Sequence, residues 1–146
     1  MSAPRVDTQA VSSQTYFEDV ELDVSVETPR MTITAAHVTL FAGLTLDVSS
    51  REEGLVPDLL PLCLSSGLGW RIPRPPLVVL AFMGFEWRFL LPLRVGDTIR
   101  SVSVTKTKRS LREGGVLVEE RRIVNQRDET TQQGRLTLLV AKRPKP

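Results

Sequence analysis

The second half of the chain alternates apolar and polar residues with the period of two that is typical of β-strands. From Val78 onward the odd positions through Leu91 are apolar, whereas the even positions carry Gly84, Glu86 and Arg88 near the middle of the run. Because successive side chains of a strand point to opposite faces of a sheet, this run predicts one long strand with an apolar face. The glycine in its middle predicts a bend there.

Three further strands are predicted after this one. A turn at Gly96-Asp97 precedes IRSVSVTKTKR, a run rich in β-branched residues that is typical of an antiparallel neighbour. A turn at Asn125–Glu129 separates the two strands that follow. The last strand places Leu136, Leu138 and Val140 on one face.

A short helix is predicted in the first half of the chain. Thr34 is a suitable N-cap for AAHVTLFAGL, in which Val38, Phe41 and Leu44 fall on one face. His37, the single histidine, lies on this helix beside the apolar face. A lone histidine at such a place is usually a half-exposed surface residue.

A second helix is predicted in LVPDLLPLCLSSGLGW, which is apolar on every side apart from Asp58 and two serines. A helix that is apolar all round must be surrounded by protein. With Asp58 as N-cap, Pro61 occupies the third helical position, where backbone N–H groups have no helical partner. The helix is therefore expected to run from about Leu59 to Ser66 or Leu68.

These elements predict an α+β architecture. Four or five antiparallel strands with one apolar face each, together with one helix that is apolar all round, bury everything only if the sheet curls around the helix. This arrangement is the hot-dog fold. One such sheet leaves an edge and part of the helix exposed, so the unit is expected to dimerise edge to edge. Residues 1–15 are small and polar, which predicts a flexible tail before a single domain at 16–143.

Composition limits the chemistry of the chain. Its 146 residues are 41% apolar and include one Cys and one His. This is enough apolar material for one domain with a core. A single Cys excludes an internal disulfide and a Cys-based zinc cluster, and a single His excludes sites with two or three histidines. The sequence therefore predicts no metal and no cofactor.

The sequence also bears on location. Its start, MSAPRVDTQAVSSQ, has no apolar segment of signal-peptide length, and its longest apolar run, near LVVLAFMGF, is shorter than the roughly 18 residues that a membrane span needs. These observations predict a cytoplasmic protein with no membrane segment.

Charge is divided unevenly along the chain. Residues 1–60 hold ten acids and three bases, whereas residues 61–146 hold seven acids and sixteen bases. One interpretation is that the two halves lie against each other and compensate. The other is an anion site that suits the phosphates of coenzyme A or an acidic acyl carrier protein. Nucleic acid is not expected as a partner, because acids are interleaved with the bases and few aromatic residues accompany them.

Several motifs together resemble the MaoC-like dehydratases, the hot-dog group that includes R-specific enoyl-CoA hydratases. They are YFEDV, TITAAHVTLFAGLTLD, VPDLLPLCLSSGL, FEWRFLLPLRVGDTIR and VNQRDETTQQGRLTLLV, and they cover about residues 16–143. The resemblance implies cofactor-free addition or removal of water at an enoyl or 3-hydroxyacyl thioester. It also implies that an Asp and a His from a D-x-N-P-x-H loop move the protons. Backbone N–H groups at the start of the central helix, here Leu59 and Leu60, would polarise the thioester carbonyl.

The chain departs from this pattern at the family's catalytic positions. Asp47 matches the catalytic Asp, but Ser49 and Ser50 stand in place of Asn and Pro, and Glu52 stands in place of the His. At the helix start, where the family commonly has Gly, this chain has Asp58. The candidate catalytic residues are therefore carboxylates alone.

Asp58 has two alternative roles. As an N-cap its carboxylate accepts hydrogen bonds from N–H groups of the first helical turn, which stabilises the helix by about 1 kcal/mol. Alternatively it projects into a pocket and forms a carboxylate pair with Asp47 or Glu52, in which closeness raises one pKa and provides both an acid and a base.

The segment GWRIPRPP after the central helix contributes three further candidates for substrate binding. Trp70, Arg71 and Arg74 lie in this proline-rich connection. They either belong to an ordinary surface loop or form a lid or an anion contact.

Three functions are compatible with these residues. The first is a dehydratase or hydratase (a lyase) acting on a CoA, carrier-protein or polyketide-like thioester of fatty-acid or polyketide metabolism, with Asp47 and a second carboxylate as the catalytic groups. The second is a catalytically silent hot-dog subunit that completes an active partner. The third is a thioesterase or cyclase. In each case the chain is expected to pair with itself or with another hot-dog chain.

Overall fold

The computed structural model describes residues 13–47 and 52–146. In these ranges a short 3-10 helix and two short strands precede two helices and four long strands. The strands are β1 Ser25–Glu27, β2 Met31–Thr32, β3 Val79–Phe89, β4 Thr98–Ser110, β5 Gly115–Val124 and β6 Thr130–Val140; the α-helices are α1 Ala35–Thr45 and α2 Leu60–Gly69; the 3-10 helix is Phe17–Asp19.

The strands form one antiparallel sheet in the order β1-β4-β5-β6-β3, and β2 also pairs with β4. The three long strands β4 to β6 follow one another along the chain and across the sheet, as the alternating pattern predicted. Strand β3 crosses over to the far side of β6 and forms the edge of the sheet in the described residues. The α+β hot-dog architecture is thereby confirmed.

The core lies between the sheet and one side of α2. Leu60 of α2 packs with Ile33, Ile99 and Ile123 in a buried apolar cluster, and Val38 and Phe41 of α1 pack against it. A second cluster forms around Phe17 and includes Leu138 and Val140, the last-strand residues that were predicted to share a face. Leu44 of α1, which was predicted to share the face of Val38, is 86% exposed instead.

Helix α2 is the central helix of the fold, and a single chain leaves part of it exposed, as the sequence predicted. Pro61, Ser65 and Leu68 are buried with Leu60, but Cys63 and Ser66 are exposed. The sheet therefore covers one side of α2 and leaves another side open. An apolar composition all round predicts burial on all sides, but it does not say that one chain supplies all of the cover.

Strand β3 does not alternate uniformly along its length. Its register against β6 shifts between Val79 and Ala81 and again between Phe82 and Gly84. The predicted bend at Gly84 is therefore a bulge, and it turns Phe82 and Phe85 to the same face of the sheet, opposite Leu138 and Leu136. Both phenylalanines are more than half exposed.

Ion pairs join the acidic first part of the chain to the basic second part, as the charge-compensation interpretation expects. Arg94 pairs with Glu52, Arg100 with Glu27, Lys106 with Asp23, and Arg143 with Asp19. These are mostly exposed pairs, which contribute about 0–1 kcal/mol each. Within the two described ranges, no helix is long and apolar enough to cross a membrane.

Candidate functional site

Asp47 lies directly after the C-terminus of α1. Leu46, the C-cap residue, adopts the left-handed conformation with φ of 57°, and its N–H donates to the carbonyl of Ala42 at 2.8 Å. The next N–H, that of Asp47, donates to Oγ1 of Thr45 at 3.1 Å. The helix end therefore holds the half-buried Asp47 in place. Ser49 and Ser50 lie outside the described residues.

The single histidine caps the other end of α1. The N–H of Thr34 donates to Nδ1 of His37 at 3.0 Å, and the N–H of His37 lies 3.4 Å from Oγ1 of Thr34. Thr34 is therefore the N-cap that the sequence predicted. His37 is half-exposed, as expected, and its ring stabilises the helix start.

Glu52, which stands at the family's histidine position, lies on the surface. Its carboxylate accepts a hydrogen bond from Nη2 of Arg94 at 2.8 Å, and the two side chains are 62% and 52% exposed. The ion pair holds this carboxylate against Arg94 at the surface.

Asp58 does not cap α2, so the N-cap alternative is wrong. The N-cap is Leu59, and no side chain provides a cap hydrogen bond there. Leu59 itself has helical dihedral angles, with φ of −82° and ψ of −17°, but no N–H group of the first turn donates to the Asp58 carboxylate among the described residues. The Asp58 side chain is exposed, and its carboxylate has no hydrogen-bond or ion-pair partner among the residues that the structure describes.

The backbone at the start of α2 retains hydrogen-bond donors. The N–H of Leu60 donates to the carbonyl of Pro57 at 3.0 Å, and the N–H of Cys63 donates to Leu59 at 3.2 Å. Pro61 has no N–H. Within residues 13–47 and 52–146, the N–H groups of Leu59 and Leu62 have no acceptor. The donor predicted at Leu60 is thus already used, whereas the one at Leu59 is available.

A polar bridge that the sequence did not predict joins the start of α2 to the sheet. Nε2 of Gln132 in β6 donates to the backbone carbonyl of Asp58 at 2.8 Å, and Oε1 of Gln132 accepts from Nε1 of Trp87 in β3 at 2.9 Å. Gln132 is 3% exposed. The only sequence signal for this bridge was the position of Gln132 on the face of β6 that carries Leu136 and Leu138. A glutamine on an apolar face is expected to be buried, and nearly every buried polar side chain has a hydrogen-bond partner.

The other predicted substrate residues lie at the far end of α2. The helix has ten residues and is therefore about 15 Å long. Trp70, which is 68% exposed, and Arg71 follow its C-terminus, and Arg74 follows them. The structure brings Asp58, Leu59 and Leu60 together, but it does not place the Trp70–Arg74 segment beside them. The side chain of Leu60 is 4% exposed and belongs to the core.

The described part of the chain contains a crevice and a groove. A crevice of about 220 Å³ lies between the 3-10 helix, β1, β4 and β5, and Arg74 lines it. A shallow groove of about 770 Å³ crosses the outer face of the sheet and is lined largely by charged residues such as Glu120, Arg122 and Arg135. Asp47, Glu52 and Asp58 line neither of them.

The chain was compared with known proteins. No family model matches its sequence. No curated protein matches it either. Solved structures do match. A monoamine oxidase regulatory protein from Archaeoglobus fulgidus superposes with a TM-score of 0.79 at 25% identity, over 92% of this chain and 99% of that chain.

Two further matches concern enzymes. A MaoC-like dehydratase from Rhodospirillum rubrum superposes with a TM-score of 0.77 at 18% identity, over 90% of this chain and 99% of that one. An (R)-hydratase from A. caviae superposes with a TM-score of 0.67 at 21% identity, over 87% of this chain and 99% of that one. In its fold the chain is therefore a hot-dog protein of the kind found among the MaoC-like dehydratases and (R)-hydratases, as its sequence motifs predicted.

Proposed function

We propose that the chain binds an acyl thioester with its carbonyl at the start of α2 and catalyses addition or removal of water at the neighbouring carbon–carbon bond. The observation that carries this proposal is the exposed start of α2, where the N–H groups of Leu59 and Leu62 have no acceptor within the described ranges. The hot-dog fold shared with dehydratases and hydratases supports it. A cytoplasmic location stays a prediction.

The chemistry follows from the charge that develops in the reaction. In the dehydration direction a carboxylate removes the proton from C2, and negative charge builds on the thioester oxygen. N–H donors directed at that oxygen stabilise the charge, an effect of about 10²–10³-fold in rate for one donor. The hydroxyl group then leaves C3 as water with a proton from a carboxylic acid. No electrons are exchanged with a cofactor.

The residues for these steps are Asp47 and Asp58. Asp47 is half-buried and held at the end of α1, so we propose it as the base. Asp58 precedes the free N–H of Leu59 and has an unpaired carboxylate among the described residues, so we propose it as the acid. Glu52 is not used, because Arg94 holds it on the surface.

A second candidate function is that of a silent subunit. The observation that favours it is the same ion pair between Glu52 and Arg94, because it occupies the position at which the family's histidine acts. In this function the chain supplies the fold and part of a substrate tunnel, and an active hot-dog chain supplies the catalytic groups.

Both functions include a second hot-dog chain bound at β3. In the described residues β3 pairs with β6 only, so its other edge offers unpaired backbone groups. Glu86 and Arg88 of this strand are exposed, but most of its exposed side chains are apolar, namely Val79, Leu80, Phe82, Met83 and Phe85, together with Phe89 at its end. A long apolar edge strand is a strong pairing site unless it is covered. A two-fold copy of the same edge would extend the sheet.

Positive charges introduced by substitution on β3 are expected to weaken the dimer. We expect the double variant Phe82→Lys and Phe85→Lys to raise the dimer dissociation constant by at least about 100-fold, because four lysines would face one another across the two-fold axis. Sedimentation velocity over a concentration series measures it. Leu22→Lys is the control, since Leu22 is 46% exposed and lies away from β3. Equal dissociation constants for the double variant and the control would contradict the β3 interface.

The reaction itself is tested with the purified chain and crotonyl-CoA. We expect loss of the enoyl thioester absorbance and formation of 3-hydroxybutyryl-CoA, without release of free thiol. Release of thiol would identify a thioesterase instead. A chain that is inert alone but restores activity to a co-expressed hot-dog partner would identify the silent subunit. The assay with a carrier-protein thioester in place of CoA then distinguishes the two carriers.

A further inference from the structure

A buried glutamine connects three parts of the fold that are far apart in the sequence. Gln132 is separated from Trp87 by 45 positions and from Asp58 by 74. Both ends of its amide have a partner: the oxygen accepts from the Trp87 ring and the nitrogen donates to the Asp58 carbonyl. An indole N–H can only donate, so it fixes which end of the amide faces Trp87. The NH₂ group of Gln132 must then face α2.

The sheet is shaped to hold this tryptophan. Trp87 lies opposite Gly134, which neighbours Gln132 on the same face of β6. A Cβ atom at Gly134 would lie 2.5 Å from Cε3 of Trp87 and 1.9 Å from the carbonyl oxygen of Glu86. Only a glycine leaves this space. The ring of Trp87 is therefore held in one place, and it holds Gln132 in turn.

The direction of the Asp58 carbonyl determines the direction of the next N–H. The peptide group between Asp58 and Leu59 is planar and trans, so its C=O and N–H point in opposite directions. Gln132 holds the carbonyl toward the buried sheet face. The N–H of Leu59 must then point away from the sheet, on the side where Leu59 is 47% exposed.

We propose that Gln132 is a positioning residue that directs the N–H of Leu59 at the carbonyl of the bound thioester. The inference rests on the proposed function, since it identifies what orients the donor used in that reaction. Gln132 does not touch the substrate. It acts through a single peptide group, and Trp87 restricts its own conformation.

The test compares Gln132→Met with Gln133→Met. Gln133 is the next residue of β6, is exposed and points to the opposite face, so it is a matched control. In crotonyl-CoA hydration we expect Gln132→Met to lower kcat by about 100-fold, the effect of losing one directed donor, with KM within about threefold. We expect Gln133→Met to match the wild type in both.

A spectroscopic measurement reports the donor without turnover. Butyryl-CoA labelled with ¹³C at the thioester carbonyl lacks the double bond that is hydrated but keeps the carbonyl. We expect its carbonyl resonance to move downfield on binding to the wild type and to Gln133→Met, and to lose this movement with Gln132→Met. If Gln132→Met fails to fold, Trp87→Phe removes the ring N–H and keeps a ring beside Gly134, and we expect a smaller loss in the same direction.

The outcomes separate this inference from the proposed function. If Gln132→Met had the same kcat and the same carbonyl shift as the wild type, the positioning role would be overturned, but the proposed hydratase activity would not. A wild-type protein that shifts the butyryl-CoA carbonyl through Gln132 but hydrates nothing would support the positioning role and overturn the catalytic function. A wild-type protein that does not shift the carbonyl would overturn the positioning role.

Discussion

Asp47→Asn is expected to lower kcat for crotonyl-CoA hydration by about 10³-fold, within the range of 10²–10⁴ that a positioned acid or base contributes. Asparagine has the same shape but cannot accept a proton at neutral pH. The fold is expected to stay intact, because the contact between the N–H of Asp47 and Thr45 belongs to the backbone. Stopped-flow or steady-state absorbance measures the rate, and circular dichroism verifies the fold.

The control for this variant is Glu53→Gln. Glu53 is exposed and follows Glu52. Its substitution by glutamine removes one negative charge from the same region without changing the proposed site. We expect wild-type activity from it. An Asp47→Asn protein that keeps more than about a tenth of wild-type kcat would show that another group removes the proton, since even a weak general base contributes about 100-fold.

Gly134→Ala is expected to have the largest effect on stability. The new Cβ would lie 1.9 Å from the Glu86 carbonyl oxygen and 2.5 Å from the ring of Trp87, and neither a backbone atom nor a packed indole can give way easily. We expect the free energy of unfolding to fall by about 3 kcal/mol or more, at the upper end of overpacking costs. Urea denaturation followed by Trp fluorescence measures it.

Gly84→Ala is the matched control, because it is also a strand glycine but has open space around a Cβ. We expect its free energy of unfolding to stay within about 0.5 kcal/mol of the wild type. If both glycine variants were equally stable, the register of β3 against β6 at Trp87 and Gly134 would be wrong. The hydrogen bonds of Gln132 with Trp87 and Asp58 would then be wrong as well.

The elements that the sequence predicted well are those with local causes. Thr34 caps α1 because its side chain reaches a donor three residues away, and this is visible in a short window. Leu136, Leu138 and Val140 share a face because alternation along a strand is a property of the strand itself. The motifs around the central helix predicted the hot-dog fold, and the structural matches confirm it.

The candidate site was predicted only in part. The start of α2 as its location stays a prediction, and the sequence left open whether Asp58 caps the helix. Of the two backbone donors predicted, Leu59 is available and Leu60 is already used, because the hydrogen bonds at a helix start depend on where the first turn begins and Pro61 permits more than one start. The pairing of Glu52 with Arg94 and the polar bridge at Gln132 join residues 42 and 74 positions apart, which no short pattern reveals.

The sequence by itself determined the four long strands, the two helices and the order in which they follow one another, because backbone dihedral preferences and side-chain periodicity act over a few residues. Only the tertiary structure decided which faces of α2 and β3 stay open, which N–H at the helix start is free, and which side chain orients it. Those properties depend on distances between residues that the folded sheet brings together. Alternation along one strand says nothing about which distant residue lies opposite.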